Sequence, residues 1–277
     1  MTDSTQLVVS DIDGTLITSN HELSPATKQT AARLQDAGIK LSLCSSRPPR
    51  SIRPLAEDLG LRSPFASFNG ALITRANGEV VARSVIPAST IRRVKEIADA
   101  FELGVWLYDE ADWWAPWRDS FVDREEHTSG FSPLIEAYDQ RLARDCNKLT
   151  VVGKPEFVAQ AQQRVWSELE SLVSASCSKP RFLDVTARGV HKGSVILRLA
   201  DIFKISPSRV AVIGDGPNDV EMFRQAGISI AMGQAVDEVQ RAATFVTSSN
   251  DDDGWSTGLE RYVLSNIQAE TGMESGA

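Results

Sequence analysis

Two pairs of closely spaced carboxylates stand at the ends of apolar runs, one near each end of the chain. Asp11 and Asp13 close the run 7–10 within Asp11-Ile12-Asp13-Gly14-Thr15-Leu16, and Asp215 and Asp219 follow Val210-Ala211-Val212-Ile213 within Gly214-Asp215-Gly216-Pro217-Asn218-Asp219. In extended backbone alternate side chains share a face, so Asp11 and Asp13 are expected to point the same way while Ile12 faces the interior. Like charges that close repel unless a cation or a proton intervenes. The pair therefore predicts either a metal site or a nucleophile with an acid beside it. Gly14 lets the chain turn away close to a ligand, and clustered carboxylate oxygens suit a hard cation such as Mg²⁺.

Other readings of the same residues are weaker. A calcium loop starting at Asp11 needs glycine at its sixth place, which is Leu16, and the segment before it reads as strand rather than helix. A structural aspartate pair at a turn stays open on Asp11 and Asp13 alone. Helix capping by Asp215, Asn218 or Asp219 explains one acid but not three.

The elements that must carry these acids alternate along both ends of the chain. Strands are expected at 7–10, 39–44 and 65–68, with helices between them that start after Ser24-Pro25 and span 52–60. The rhythm returns as a helix over 193–203, a strand at 210–213, a helix over 220–226 and strands at 228–231 and 245–247. Strand and amphipathic helix in alternation predict a parallel sheet with crossover helices, and such sheets bind ligands outside the carboxyl ends of their strands. Asp11, Asp13, Asp215 and Asp219 are thus expected to converge although far apart in sequence.

The middle differs. Residues 105–108 with 113–117, and 173–177 with 182–185, read as hairpins, each preceded by a helix with apolar spacing. The fold class expected is α/β: a Rossmann-like parallel-sheet core formed by 1–82 and 189–277, with an inserted α+β cap over 83–188. Trp106, Tyr108, Trp113, Trp114 and Trp117 concentrate in the first hairpin. Most are expected to cover the small sheet, leaving one or two to touch substrate. Arg118 and Arg124 are candidates to pair with an anion, and the polar tail from Gln268 onward is expected to be mobile.

Composition excludes several classes. Asp and Glu number 37 against 29 Lys and Arg, a net charge of −8 with no basic cluster, which argues against nucleic acid as partner. No apolar run is long enough for a membrane span and no leader pattern opens the chain, so the cytoplasm is the expected location. The three cysteines, Cys44, Cys146 and Cys177, have neither disulfide nor metal spacing and are expected to be reduced and structural. His21, His127 and His191 also lack metal spacing.

The ordered motifs resemble a haloacid dehalogenase-like hydrolase of the Cof type. They are Asp11 to Leu16, Cys44-Ser45-Ser46-Arg47, Phe68-Asn69-Gly70-Ala71, Gly189-Val190-His191-Lys192-Gly193, Gly214 to Asp219, Met232-Gly233, and 250–254. The resemblance implies that Asp11 attacks phosphorus to form an aspartyl-phosphate, and that Asp13 serves as acid and then base. It implies that Ser45 and Lys192 bind the phosphoryl group, with Ser46, Asn69, Gly70 and Asn218 at the substrate. Mg²⁺ would be held by Asp11, Asp215 and the backbone carbonyl of Asp13, with Asp219 in the metal set and orienting the site beside Asn218.

The chain departs from the family's usual residues at Ser45 (threonine), Ser46 (glycine) and Gln234 (asparagine), which bears on substrate geometry more than on activity. The expected activity is a Mg²⁺-dependent phosphatase acting on small phosphorylated metabolites, sugar phosphates foremost, as a monomer or small homo-oligomer. A phosphomutase on the same core and a non-catalytic phosphosugar-binding protein are the alternatives.

Overall fold

The computed structural model describes residues 4–265, so the tail from Gln268 lies outside the described residues. Its central layer is a parallel sheet in the order β14-β13-β12-β1-β2. The strands are β1 (Leu7–Ser10), β2 (Lys40–Leu43), β12 (Val210–Gly214), β13 (Ile228–Ala231) and β14 (Phe245–Val246). The two central strands, β1 and β12, are buried along their whole length, as a sheet covered on both sides requires. Val8, Leu41 and Ala211 pack with helices α1 (Pro25–Asp36), α2 (Pro49–Asp58) and α10 (Gly254–Leu259). Leu7, Val9 and Val212 pack on the other side with α7 (Lys192–Phe203), α8 (Val220–Phe223) and α9 (Asp237–Ala242).

Strand β1 lies between two neighbours of very different age in the chain. Leu7 is level with Lys40 on one side and with Val210 on the other. Both acid motifs therefore leave adjacent parallel strands at the same end. Ser24 caps α1 by accepting the Thr27 N–H at 3.1 Å, and Pro25 follows it, as the sequence predicts.

A second sheet has the order β10-β11-β9-β6-β7-β8, from β6 (Gly104–Tyr108), β7 (Trp113–Ala115), β8 (Leu134–Ile135), β9 (Lys148–Val152), β10 (Val173–Lys179) and β11 (Phe182–Ala187). The two expected hairpins, β6/β7 and β10/β11, are present, and β9 joins them by pairing antiparallel with both β6 and β11. The sequence reading omits β9 because Lys148 and Thr150 interrupt its apolar pattern. Helices α3 (Ala88–Asp99) and α6 (Pro155–Leu169) cover one face through Ile91, Val94, Val158 and Val165 against Val105, Leu149, Val151 and Val185. Two further helices, α4 (Ser120–Ser129) and α5 (Tyr138–Arg141), lie along the connection from β7 to β9.

The strand expected at 65–68 is present and meets the main sheet in parallel, but its other edge pairs antiparallel. Strand β3 (Phe65–Ser67) touches the parallel sheet through one bridge, Cys44 with Ala66, and pairs antiparallel with β4 (Leu72–Thr74), which pairs antiparallel with β5 (Val80–Arg83). The turn that reverses the chain holds Phe68 and Asn69 at positive φ and Gly70 at φ 101°. A Cβ on Gly70 would lie 2.5 Å from Val195 Cγ2, so the turn needs glycine both for its backbone and for its approach to α7. The cysteines are free thiols, with Cys44 and Cys146 buried.

Candidate active site

Asp11 is the first residue beyond β1, and its N–H still donates to the Ile213 carbonyl at 3.0 Å, which pins it beside the end of β12. The strand stops here because Ile12 turns the chain: its carbonyl accepts the N–H groups of Thr15, Leu16 and Ile17. The acids thus stand on a turn at the strand end. Behind Asp11, Ser10 Oγ donates to the Asp11 carbonyl at 2.6 Å and accepts from Trp255 Nε1 at 2.8 Å.

Lys192 opens α7 with 3% of its surface exposed, contrary to the habit of a lysine beside glycine to face water. Its Nζ lies 2.7 Å from Asp11 Oδ1 and 2.6 Å from Asp219 Oδ1. Burial disfavours the ammonium, but Asp11 and Asp219 outweigh it and hold the Lys192 pKa above its ordinary value. Asp219 is fully buried, and its Oδ2 accepts the N–H groups of Asp215 and Gly216 at 3.1 and 2.9 Å. Burial, reinforced by Asp219, pushes Asp11 well above the usual carboxylate range and Asp215 up to about 6.

Three carboxylates, those of Asp11, Asp215 and Asp219, place oxygens within 4.8 Å of one another around that single ammonium. The surplus negative charge and all-oxygen donor set fit a hard divalent cation. Asp219 is already engaged at both oxygens, which leaves Asp11 Oδ2 and the Asp215 carboxylate as the side-chain donors turned toward it. Thr15 Oγ1 steadies Asp215 at 3.1 Å. Gly14, at φ 70°, is required here because a Cβ would fall 2.3 Å from Asp215 Oδ2. Gln234 holds this turn from behind, donating to the Gly14 carbonyl at 2.5 Å and accepting the Asn250 N–H at 3.2 Å.

Asp13 faces the same cavity, yet both its oxygens are taken by Arg47, at 2.8 and 2.7 Å. A metal role for Asp13 therefore falls to its backbone carbonyl. Ser45 is buried at the floor, where its Oγ accepts the Arg47 N–H at 3.2 Å. Asp11, Asp13, Ser45, Ser46, Lys192, Asp215 and Asn218 all line one cavity of about 320 Å³. Asn69 and Gly70 do not line it: the Asn69 N–H donates to the Ser45 carbonyl at 2.9 Å, so the turn buttresses the floor from outside.

A sequence profile of the haloacid dehalogenase-like hydrolases matches residues 8–259. The chain belongs to this family. Within it the chain is of the Cof type, and it is a phosphoric monoester hydrolase of the phosphatase group, whose members use a divalent metal. A Haemophilus influenzae relative, classed in name only as a phosphatase, is 32% identical over 257 residues, covering 91% of this chain and 96% of the relative. The 5-amino-6-(5-phospho-D-ribitylamino)uracil phosphatase YcsE of Bacillus subtilis is 24% identical over 94% of this chain and 96% of its own length. A crystal structure of a haloacid dehalogenase-like hydrolase from Bacteroides thetaiotaomicron superposes with a TM-score of 0.83 at 29% identity, covering 93% of this chain and 99% of that one. In this hydrolase the parallel sheet is the Rossmann-like core and the second sheet is the cap.

The cap turns its uncovered sheet face to the catalytic cavity. Trp106, Tyr108, Lys148, Thr150 and Asp184 alternate with the residues under α3 and α6, and all five line the cavity wall. Lys148 Nζ donates to the Ser46 carbonyl at 3.0 Å and lies 3.3 Å from Asp184 Oδ1, so one side chain ties the cap sheet to the loop that carries Ser45. Burial pushes the carboxyl of Glu125, which also lines the wall, above its ordinary range.

Sequence reasoning missed Lys148, Asp184, Glu125 and the role of Arg47. A polar residue at every second place of an apolar strand was the available signal for the first two. Arg118 does not line the cavity and pairs with Asp123 and Glu126. Arg124 does not line it either. Trp113 packs inside, and Trp114 lies under the Arg141 guanidinium.

Proposed function

We propose that this hydrolase removes phosphate from small phosphomonoesters, sugar phosphates foremost, with Mg²⁺ as its metal. The observation that carries the reading is a buried carboxylate, Asp11, fixed through one oxygen by Lys192 and open at the other, which lines a cavity sized for a small metabolite together with Asp215 and has Asp219 buried behind it. The Bacillus subtilis relative, named for an ester on a ribityl chain, supports a hydroxylated substrate.

In this reading Asp11 Oδ2 attacks phosphorus and the ester oxygen departs, leaving an aspartyl-phosphate. Asp13 serves as acid to that oxygen once its carboxyl is released from Arg47 and protonated; as the carboxylate it then takes a proton from the water that hydrolyses the intermediate. Arg47 holds Asp13 ionised for the second step and must let go of it for the first. Ser45 and Lys192 hold phosphoryl oxygens in line, and Asp219 holds Lys192. Mg²⁺, held by Asp11, Asp215 and the Asp13 carbonyl, would supply charge neutralisation at the phosphoryl group. Asn218 borders the same space, and Ser46 contributes through the loop that Lys148 anchors.

Residues 1–82 and 189–277 are taken as the core and 83–188 as the cap; β5 ends at Arg83, β11 at Ala187 and α7 begins at Lys192. No helix among the described residues is long and apolar enough to cross a membrane. We place the enzyme in the cytoplasm, as a monomer or small homo-oligomer acting on a metabolite rather than on nucleic acid. A panel of phosphorylated metabolites assayed with Mg²⁺ tests the reading. Free phosphate should be released from several hexose and pentose phosphates; isomerisation of hexose phosphates without phosphate release would establish a mutase instead, and binding without turnover a sensor.

A further inference from the structure

The wall of the cavity opposite Asp11 carries a buried acceptor that the chemistry above does not use. Asp184, on β11, is 3% exposed and lines the cavity. Its Oδ1 accepts from Thr150 Oγ1 at 2.8 Å and lies 3.3 Å from Lys148 Nζ. Its Oδ2 has no hydrogen-bond partner among the described residues. Leaving a buried carboxylate oxygen unmatched is costly, and a protein tolerates such a group where a ligand completes it. The carboxylate cannot readily rotate away from the cavity, because Thr150 and Lys148 fix it from the strand beside it.

The rest of the wall says which donor fits. Around Asp184 stand Glu125, Lys148 and Lys179, all lining the same space, so two acids meet two ammonium groups and the wall is neutral overall. Lys148 is already occupied by the Ser46 carbonyl and Asp184, and Lys179 is exposed at the edge and offset by Glu125, so the buried part of the wall offers an acceptor rather than a cation. Trp106, Tyr108 and Phe182 line the same space and can pack on the C–H faces of a polyol, whereas an unsubstituted hydrocarbon would use those rings but leave the Asp184 oxygen unpaired.

We propose that Asp184 is a specificity-determining residue whose Oδ2 accepts a hydrogen bond from a hydroxyl of the leaving group, selecting phosphate monoesters of neutral polyhydroxylated alcohols. The inference rests on the phosphatase reading and deepens it. Because Lys148 links Asp184 to the carbonyl of Ser46, a hydroxyl seated on the cap also steadies the loop that receives the phosphoryl group.

The test compares esters of equal length with and without hydroxyls, using the full chain with Mg²⁺. Wild-type kcat/KM should be at least tenfold higher for sorbitol 6-phosphate than for hexyl phosphate, and higher for glycerol 1-phosphate than for propyl phosphate. Asp184→Ala should lose at least tenfold more kcat/KM on sorbitol 6-phosphate than on hexyl phosphate. Equal losses on both esters would overturn the assignment, as would a wild type that hydrolyses alkyl and polyol phosphates equally well. Should Asp184→Ala fail to fold, Asp184→Asn, which puts an amide donor in place of one acceptor oxygen at nearly constant shape, is compared on the same two esters by the same criterion. If the wild type hydrolyses none of the four esters nor any member of the metabolite panel, it is the phosphatase reading that fails.

Discussion

Arg47 clasps Asp13 at both carboxylate oxygens, Nε to Oδ2 at 2.8 Å and Nη2 to Oδ1 at 2.7 Å. Burial pushes the Asp13 carboxyl upward, but the two hydrogen bonds and charge of Arg47 outweigh it and hold the pKa below the ordinary value. A carboxylate held this way is ready to act as a base at neutral pH.

Replacing Arg47 by alanine should release that hold. The Asp13 pKa rises, so the acid limb of the kcat profile, set by its work as base on the intermediate, moves to higher pH. A lowered carboxylate pKa stabilises the fold above the unfolded value and the benefit disappears as pH falls through the folded value. The stability gap between wild type and Arg47→Ala should therefore be widest near pH 7 and close toward pH 3. Thermal melts across that range check it, and a gap that widens in acid would contradict the pairing.

Lys192→Met should remove the ammonium that separates two buried carboxylates. Breaking a buried ion pair by deleting one partner costs roughly 3–5 kcal/mol, and Asp11 and Asp219 are both left facing each other without it. Turnover should fall to background. Urea unfolding should show the destabilisation shrinking at pH 4 to 5, where the acids can protonate; a variant as stable as the parent at pH 7.5 would show that the lysine charge is not needed there.

Gly14→Ala should act on Asp215 without touching substrate. Its Cβ would sit 2.3 Å from Asp215 Oδ2 on a backbone at φ 70°, so either the turn or the acid must move. A displacement of about 1 Å near the chemistry can cost on the order of a hundredfold. We expect kcat to fall by at least about tenfold and half-saturation by Mg²⁺ to rise. Unchanged Mg²⁺ dependence would exclude this route.

Stripping divalent metal should make stability depend on pH in a defined direction. Without metal, burial and Asp219 raise Asp215 from 3.8 to about 6. A raised carboxyl pKa contributes stability that is complete below the unfolded value and lost as pH climbs through the folded one. Metal-free protein should thus weaken between pH 4 and pH 7, and added Mg²⁺ should raise the melting temperature more at pH 7.5 than at pH 5. An equal or larger rise at pH 5 would count against Asp215 as a metal donor.

The core was legible because its signals are local. An apolar run ending in acid recurs at Asp11 and Asp215, and the capped start at Ser24-Pro25 is visible without any partner. The cap was harder. Strand β9 hides behind Lys148 and Thr150, whose polarity suits a cavity wall that no single strand reveals. Strand β3 is legible as one more strand, but nothing in Phe65-Ala66-Ser67 announces that the chain reverses at Asn69 and Gly70 to pair its other edge with β4. Arg47 sits within a motif already noticed, but its grip on Asp13 spans 34 residues and exists only once the sheet has formed.

The bond from Trp255 to Ser10, and through it to the main chain of Asp11, reaches across 245 residues. Strand β1 leaves the ribosome long before its neighbour β12 and the indole behind it. A growing polypeptide accordingly carries its reactive aspartate long before the surroundings that empower it exist, with one flank of the earliest strand exposed to mispairing. Seating of the aspartate thus waits on residues 210–255, so the reactive centre is completed late even though its nucleophile lies on an early strand.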